Sequence, residues 1–278
     1  RRQRQMCIRD RVISASLILV TVRASLDNCY CRSYKIFNFS RLNLNNIPNT
    51  SQADPIPETA RLEIEELLLT GDLFRYTNEQ SPVLNLEQNF ALRIGSSYAL
   101  AVSSCSAALF LALKALNLGE KARVLIPAFT FGAVPSAVVH ANCVPVLCEC
   151  GMDYRIDIDD FLCKLESVDA VLISHMRGHT SDMDKILFHC DRLDLPVIED
   201  AAHSLGTTWK GKNIGTFGQF GCFSFQSYKL LNSGEGGMLV TDDPDYFAKV
   251  VVMSGAYEHN WKKHQGEKEF FEKWQNLL

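Results

Sequence analysis

The stretch Ala122–Cys150, ARVLIPAFTFGAVPSAVVHANCVPVLCEC, decides the fold class. Its two ends, ARVLIPA and VPVLCEC, are short apolar runs without polar alternation, the pattern of strands buried on both faces. Between them GAVPSAVVHAN reads as a helix, and Gly132 and Asn142 bracket it. A strand, a helix and a second strand in so short a span form a crossover unit, whose strands lie parallel in one sheet.

The same alternation extends outward. Towards the N-terminus, PETARLEIEELLLTGD places Leu62, Ile64, Leu67 and Leu68 on a helix ending near Gly71, LNLEQNFALRIG is a second helix, and YALAVSS is a buried strand. SAALFLALKALNLG is an Ala/Leu-rich helix closed by Gly119. Towards the C-terminus, VDAVLISH, PVIED, GCFSF and GGMLVTD read as strands, and SDMDKILFHCDRLDL and DYFAKVVVMSG as helices. Strands and helices at this spacing imply an α/β protein with a largely parallel sheet covered on both faces.

Composition agrees with a small-molecule enzyme. The chain has 278 residues, 47% of them hydrophobic and 22% charged, and a net charge of −4. Its basic residues gather on no face, which argues against nucleic acid as a partner. The ten cysteines lack zinc-knuckle spacing: Cys29 and Cys31, like Cys148 and Cys150, are one residue apart. Cys143, Cys163, Cys190 and Cys222 lie in apolar runs, as free thiols in a reducing, cytoplasmic compartment would. No metal site is expected.

The ends differ from the middle. QMCIRDR, Gln5–Arg11, resembles the translation of a transposon adaptor used in sequencing libraries, so residues 1–11 are set aside. Residues 12–53 read as a leader or a disordered segment, and their apolar run Val12–Val22 is too short to span a bilayer. Residues 54–255 form the regular domain. Residues 256–278 end within a helical pattern, EKEFFEKWQNLL, and read as the start of a connection to a further domain.

In parallel sheets ligands bind beyond the carboxyl ends of the strands, where four features fall. Ser103-Ser104-Cys105-Ser106 joins a strand to a helix and can cradle a phosphate or simply cap the helix. Glu199 and Asp200 end an apolar strand, with His203 three residues on; an acid there caps the next turn or holds a cationic ligand. Phe129 and Phe131 follow a strand and belong to the core or stack on a flat ring. Lys229, five residues after Ser224, is a surface lysine or a desolvated amine that attacks aldehydes. One ligand would use all four: pyridoxal 5′-phosphate.

Six motifs, SSCSAALFLALKAL, IPAFTFGAVPSAV, HMRGHTSDMDKI, PVIEDAAHSLG, GTFGQFGCFSF and KLLNSGEGGMLVTDD, resemble in order and spacing the DegT/StrS-type aminotransferases, pyridoxal-phosphate enzymes of fold type I. The resemblance runs from about Pro55 to Gly255. It implies the family's large domain, with a mostly parallel seven-stranded sheet sandwiched by helices. By the same resemblance Lys229 forms the Schiff base with the cofactor, Asp200 bonds the pyridine nitrogen, and His203 stands beside the ring hydroxyl. Phe131 stacks on the ring, and Cys105, Ser106 and Ser224 hold the phosphate. GDLFRYT supplies Phe74, Arg75 and Tyr76 near the substrate entrance, and SHMRGH supplies His175 and Arg177.

The activity implied is transfer of an amino group, usually from glutamate, to a nucleotide-linked keto-sugar in a cytoplasmic homodimer. Arg177 and His179 stand where many sugar aminotransferases have an aromatic residue and Gln, so the substrate stays open. Two other readings share the scaffold: a sugar dehydratase, in which the lysine is replaced, often by His, and a non-catalytic regulator. Lys229 argues against the first, and Lys229 with Asp200 against the second.

Overall fold

The computed structural model describes residues 55–274 except 72, 77–80, 257–259 and 265, so the boundaries expected at residues 11 and 53 lie outside the described residues. In chain order the elements are α1 (Glu58–Thr70), α2 (Pro82–Ile94), β1 (Tyr98–Val102), α3 (Cys105–Ala115), β2 (Arg123–Pro127), α4 (Ala133–His140) and β3 (Val144–Cys148). Then come α5 (Ile158–Leu165), β4 (Ala170–Ser174), α6 (Met183–Arg192), β5 (Val197–Asp200), β6 (Thr208–Trp209), β7 (Lys212–Asn213), β8 (Phe220–Ser224), β9 (Gly237–Thr241), α7 (Pro244–Met253) and α8 (Lys268–Trp274).

The crossover read from Ala122–Cys150 is present: β2 and β3 pair in parallel, Arg123 opposite Val144 and Pro127 opposite Cys148, with α4 between them. The full sheet has seven strands in the order β1-β9-β8-β5-β4-β2-β3. Strands β3, β2, β4, β5 and β8 are mutually parallel. β9 runs antiparallel to both β8 and β1. That double reversal returns β1 to the direction of the parallel set. The carboxyl ends of β1, β2, β4, β5 and β8 therefore open on one edge.

Alternation along the strands fills an apolar layer on each face. Leu100, Val124, Ile126, Leu172, Ile198 and Leu239 pack with α3, α4 and α7. Ala99, Leu125, Val171, Ile173, Phe223 and Met238 pack with α2, α5 and α6. The strand residues named thus meet a helix, which is why most of these runs carry no polar alternation; β3, at the sheet edge, was expected to be buried on both faces but leaves Val144 and Leu147 exposed. Trp261 and Phe271 join the first layer and stack on each other with centroids 5.3 Å apart.

Three other details depart from the reading above. Helix α5 was not foreseen; Asp157 caps it by accepting from Asp160 N at 2.9 Å, and Phe161 and Leu165 are its buried side. Helix α3 ends at Ala115 and is capped by Leu116, before Gly119. Of the four cysteines placed in apolar runs, Cys143, Cys190 and Cys222 are buried and Cys163 is exposed.

Candidate active site

The turn joining β8 to β9 carries Lys229. It is a continuation of the ladder rather than a free loop: Phe225 N donates to Gly236 O at 2.9 Å, Ser227 N to Gly234 O at 3.0 Å and Ser233 N to Phe225 O at 2.9 Å. Gly234 and Gly236 have φ of 84° and 142°, backbone that a side chain would strain. The side chain of Glu235 is exposed, and only its carbonyl is used, accepting from Ser233 Oγ at 2.7 Å. Lys229 N closes a tight turn on Gln226 O at 2.8 Å. This frame carries Nζ to 2.8 Å from Nε2 of His203.

Burial depresses the pKa of Lys229, with Asp200 and Cys105 opposing and Arg177 adding to the fall. Burial, then the charge of Lys229, lowers His203 as well, and its Nε2 shares the hydrogen bond with Nζ.

Asp200 ends β5 and is 6% exposed. Its Oδ1 accepts from Ala202 N at 3.1 Å and lies 3.9 Å from Cys105 Sγ. Its Oδ2 accepts from Ser174 Oγ at 2.7 Å, and Ser174 Oγ is 2.6 Å from Thr130 Oγ1. This hydroxyl chain, from the loop after β2 through the last residue of β4, was not foreseen. The signal for it was position alone, since each hydroxyl ends or follows a parallel strand.

Glu199, one residue earlier, points to the other face, as strand alternation requires. Its side chain is fully buried and accepts four bonds: His175 Nε2 at 3.2 Å, Gly215 N at 2.8 Å, Phe217 N at 2.6 Å and Gly218 N at 2.9 Å. Burial works to raise its pKa, and the bonds from His175 and the backbone outweigh it and hold it low. His175, expected on the substrate side, is therefore placed inside the fold as the partner of Glu199.

At the head of α3, Ser104 Oγ caps the helix by accepting from Ala107 N at 3.1 Å. The N–H groups of Cys105 and Ser106 belong to the first turn, which a helix leaves unpaired. Ser224 faces Gly237 across the β8–β9 ladder, and a Cβ built on Gly237 would lie 2.5 Å from the carbonyl carbon of Ser104. Ser224 and the α3 N-terminus are thereby brought together. The thiol of Cys105 is turned to Asp200 instead, and burial, reinforced by that carboxylate, pushes its pKa far up. Only the backbone of Cys105 is suited to an anion.

Phe131 is 67% exposed, free to lie against a ligand, whereas Phe129 stacks on Tyr154 at 5.0 Å. In the segment near residue 75 the structure separates the three expected side chains. Phe74 is exposed; Tyr76 is buried with its OH 2.8 Å from His264 Nε2; Arg75 pairs with Glu87 at 3.0 Å and bonds the carbonyl of Ala101.

An amine, an imidazole, a buried carboxylate and a helix N-terminus thus share one edge, and known proteins match it. A model of the DegT/DnrJ/EryC1/StrS aminotransferase family matches residues 58–272. The spore coat polysaccharide biosynthesis protein SpsC of Bacillus subtilis is 36% identical over 209 residues, covering 73% of this chain and 52% of that protein. GDP-perosamine synthase of Escherichia coli O157:H7 is 32% identical over 199 residues, 67% of this chain and 55% of the relative. Among solved structures, E. coli GDP-4-keto-6-deoxy-D-mannose-3-dehydratase with bound hydrated PLP aligns with a TM-score of 0.66 and 25% identity, over 72% of this chain and 53% of that one. The chain spans about half the length of the curated relatives it matches. With the site-bearing edge and the helices around it inside the matched residues, the chain belongs to the DegT/DnrJ/EryC1/StrS aminotransferase family.

Proposed function

We propose that the chain is the cofactor-binding large domain, residues 54–255, of a pyridoxal-phosphate-dependent aminotransferase acting on a nucleotide-linked keto-sugar, with glutamate as amino donor. The observation that carries this reading is the meeting of Lys229 Nζ with His203 Nε2 at 2.8 Å on the edge where Asp200 is buried.

The residues present suit the cofactor. A depressed amine suits its aldehyde, a buried carboxylate suits its ring nitrogen, and the first turn of α3 beside Ser224 suits its phosphate. Bound there, the cofactor would supply an electron sink for the carbon that exchanges its amino group. Lys229 would hold it through Nζ and, once released, move a proton at that same atom. Asp200, fixed by Ser174 and Ala202, would keep a positive charge on the ring nitrogen. His203 would orient Nζ, and Phe131 would cover one ring face.

Two features support the setting. Among the described residues every cysteine is free, which favours the cytoplasm, and no helix is long and apolar enough to cross a membrane. Leu62, Leu68 and Leu69 of α1 are exposed, an apolar face suited to a partner in a homodimer.

The test is spectroscopic. The full-length protein incubated with pyridoxal phosphate should turn yellow and lose that band on borohydride reduction; glutamate should bleach it. A band that persists unchanged in Lys229→Ala would refute the assignment of the lysine, and a glutamate-insensitive band would refute transamination.

A further inference from the structure

The turn after β4 carries a cation that the fold does not use. Arg177 has φ 57° and ψ 21°, left-handed backbone that is unfavourable for any residue with a Cβ, and Gly178 follows with φ 79°. The turn is held on both sides. Gly178 N donates to His175 O at 3.1 Å and His179 N to Met176 O at 3.0 Å. His175 N donates to Asp200 O at 3.1 Å, and Ser204 Oγ to His175 O at 3.0 Å. Residues 175–179 are thus tied to the segment 200–204 that bears Asp200 and His203.

The guanidinium is exposed, and among the described residues no carboxylate pairs with it. After burial, its charge is one of the influences that lower the pKa of both Lys229 and His203. Among the described residues this positive charge has no carboxylate counter-ion, although its backbone is tied to the segment bearing Asp200 and His203. An anion on the substrate would supply one.

We propose that Arg177 is a specificity-determining residue that receives a carboxylate of the substrate close to the reacting carbon. The proposal rests on the aminotransferase reading and deepens it. The cofactor's own phosphate is assigned elsewhere, to α3 and Ser224. The anion can come from two sources: the α-carboxylate of the amino donor, or an acidic group on the keto acceptor.

Calorimetric titration of the full-length protein, wild type, Arg177→Gln and Arg177→Lys, separates them. The donor pair is L-glutamate against isoglutamine, which has an amide in place of the α-carboxylate. The acceptor pair is UDP-glucuronic acid against UDP-glucose. Arg177→Gln should weaken the member of one pair that carries the extra carboxylate about ten- to a hundredfold, leave the member lacking it unchanged, and be partly rescued in Arg177→Lys. Equal affinities for both members in wild type and variant alike would overturn the proposal. So would loss of pyridoxal phosphate from Arg177→Gln, which would make the guanidinium a cofactor ligand. Because binding is read directly, a protein that shows no Lys229-dependent band yet loses acid-selective affinity would sink the functional reading and keep the anion site.

Discussion

Glu199 and Asp200 are neighbours in sequence with opposite duties, and exchanging each for its amide should separate them. In Glu199→Gln one terminus becomes an NH2 that cannot accept. If the remaining oxygen keeps Phe217 N and Gly218 N, the NH2 faces the N–H of Gly215, which is left buried and unpaired. His175 can turn acceptor by moving its proton to Nδ1, a buried atom without a partner. Two stranded donors, Gly215 N–H and His175 Nδ1–H, with the lost charge-assisted bonds sum to roughly 3–5 kcal/mol, out of a typical 5–15 kcal/mol for a whole domain.

Asp200→Asn leaves every bond formable. Its oxygen still accepts from Ala202 N, and its NH2 donates to Ser174 Oγ, which then donates to Thr130, a reversal the hydroxyl chain permits. That change should cost about 1 kcal/mol or less and act on the cofactor band instead. Urea unfolding of both variants, with m-values compared, measures this. The folded pKa of Glu199 is depressed, so its contribution exists above the ordinary value of 4.5 and fades as pH falls through the lower folded one. The gap between wild type and Glu199→Gln should close in acid. If Glu199→Gln costs no more than Asp200→Asn at neutral pH, the division of labour is refuted.

Two further outcomes are expected. Burial pushes Glu87 up to about 7 against the pull of Arg75 and Ala101 N–H. A raised acid stabilises the fold below its unfolded value of 4.5 and loses that contribution as pH rises towards 7, by roughly 3 kcal/mol in all; unfolding midpoints across this window should slope less in Glu87→Gln, and an unchanged slope would exclude Glu87 as the cause. At Gly221 a Cβ would sit 1.9 Å from the carbonyl oxygen of Gly215, backbone against backbone. Gly221→Ala should lower stability by about 3 kcal/mol or abolish soluble expression, whereas Gly234→Ala, with open space and φ of 84°, should cost about 1–2 kcal/mol; similar thermal midpoints for the two would contradict the packing described.

The strands and most helices were legible because apolar runs and periodicity are local properties. Lys229, Asp200 and His203 were legible as types at the right edge, since parallel strands deliver their carboxyl ends together. What escaped notice depends on pairing at a distance. Nothing local in YALAV distinguishes a strand that joins an antiparallel neighbour from one in the parallel set. Thr130 and Ser174 look like ordinary loop and strand hydroxyls until the sheet order places β4 between β2 and β5. His175 and Arg177 lie two residues apart, yet one is sealed against Glu199 and the other left in solvent. A one-residue reversal into left-handed backbone separates them, and composition does not encode it.

The insertion of β9 between β8 and β1 also sets an order of assembly. During synthesis β1 and α3 leave the ribosome early, but the partner of β1 is made near the far end of the described chain, where Gly237 meets Val102. Until then β1 has no hydrogen-bonded neighbour, while β2, β3, β4 and β5 can already pair among themselves. Closing so long a loop costs chain entropy before any contact repays it. The head of α3, the proposed phosphate seat, lies against Gly237 of β9, so its seating beside Ser224 draws on that late pairing as well as on the packing of α3 against β8.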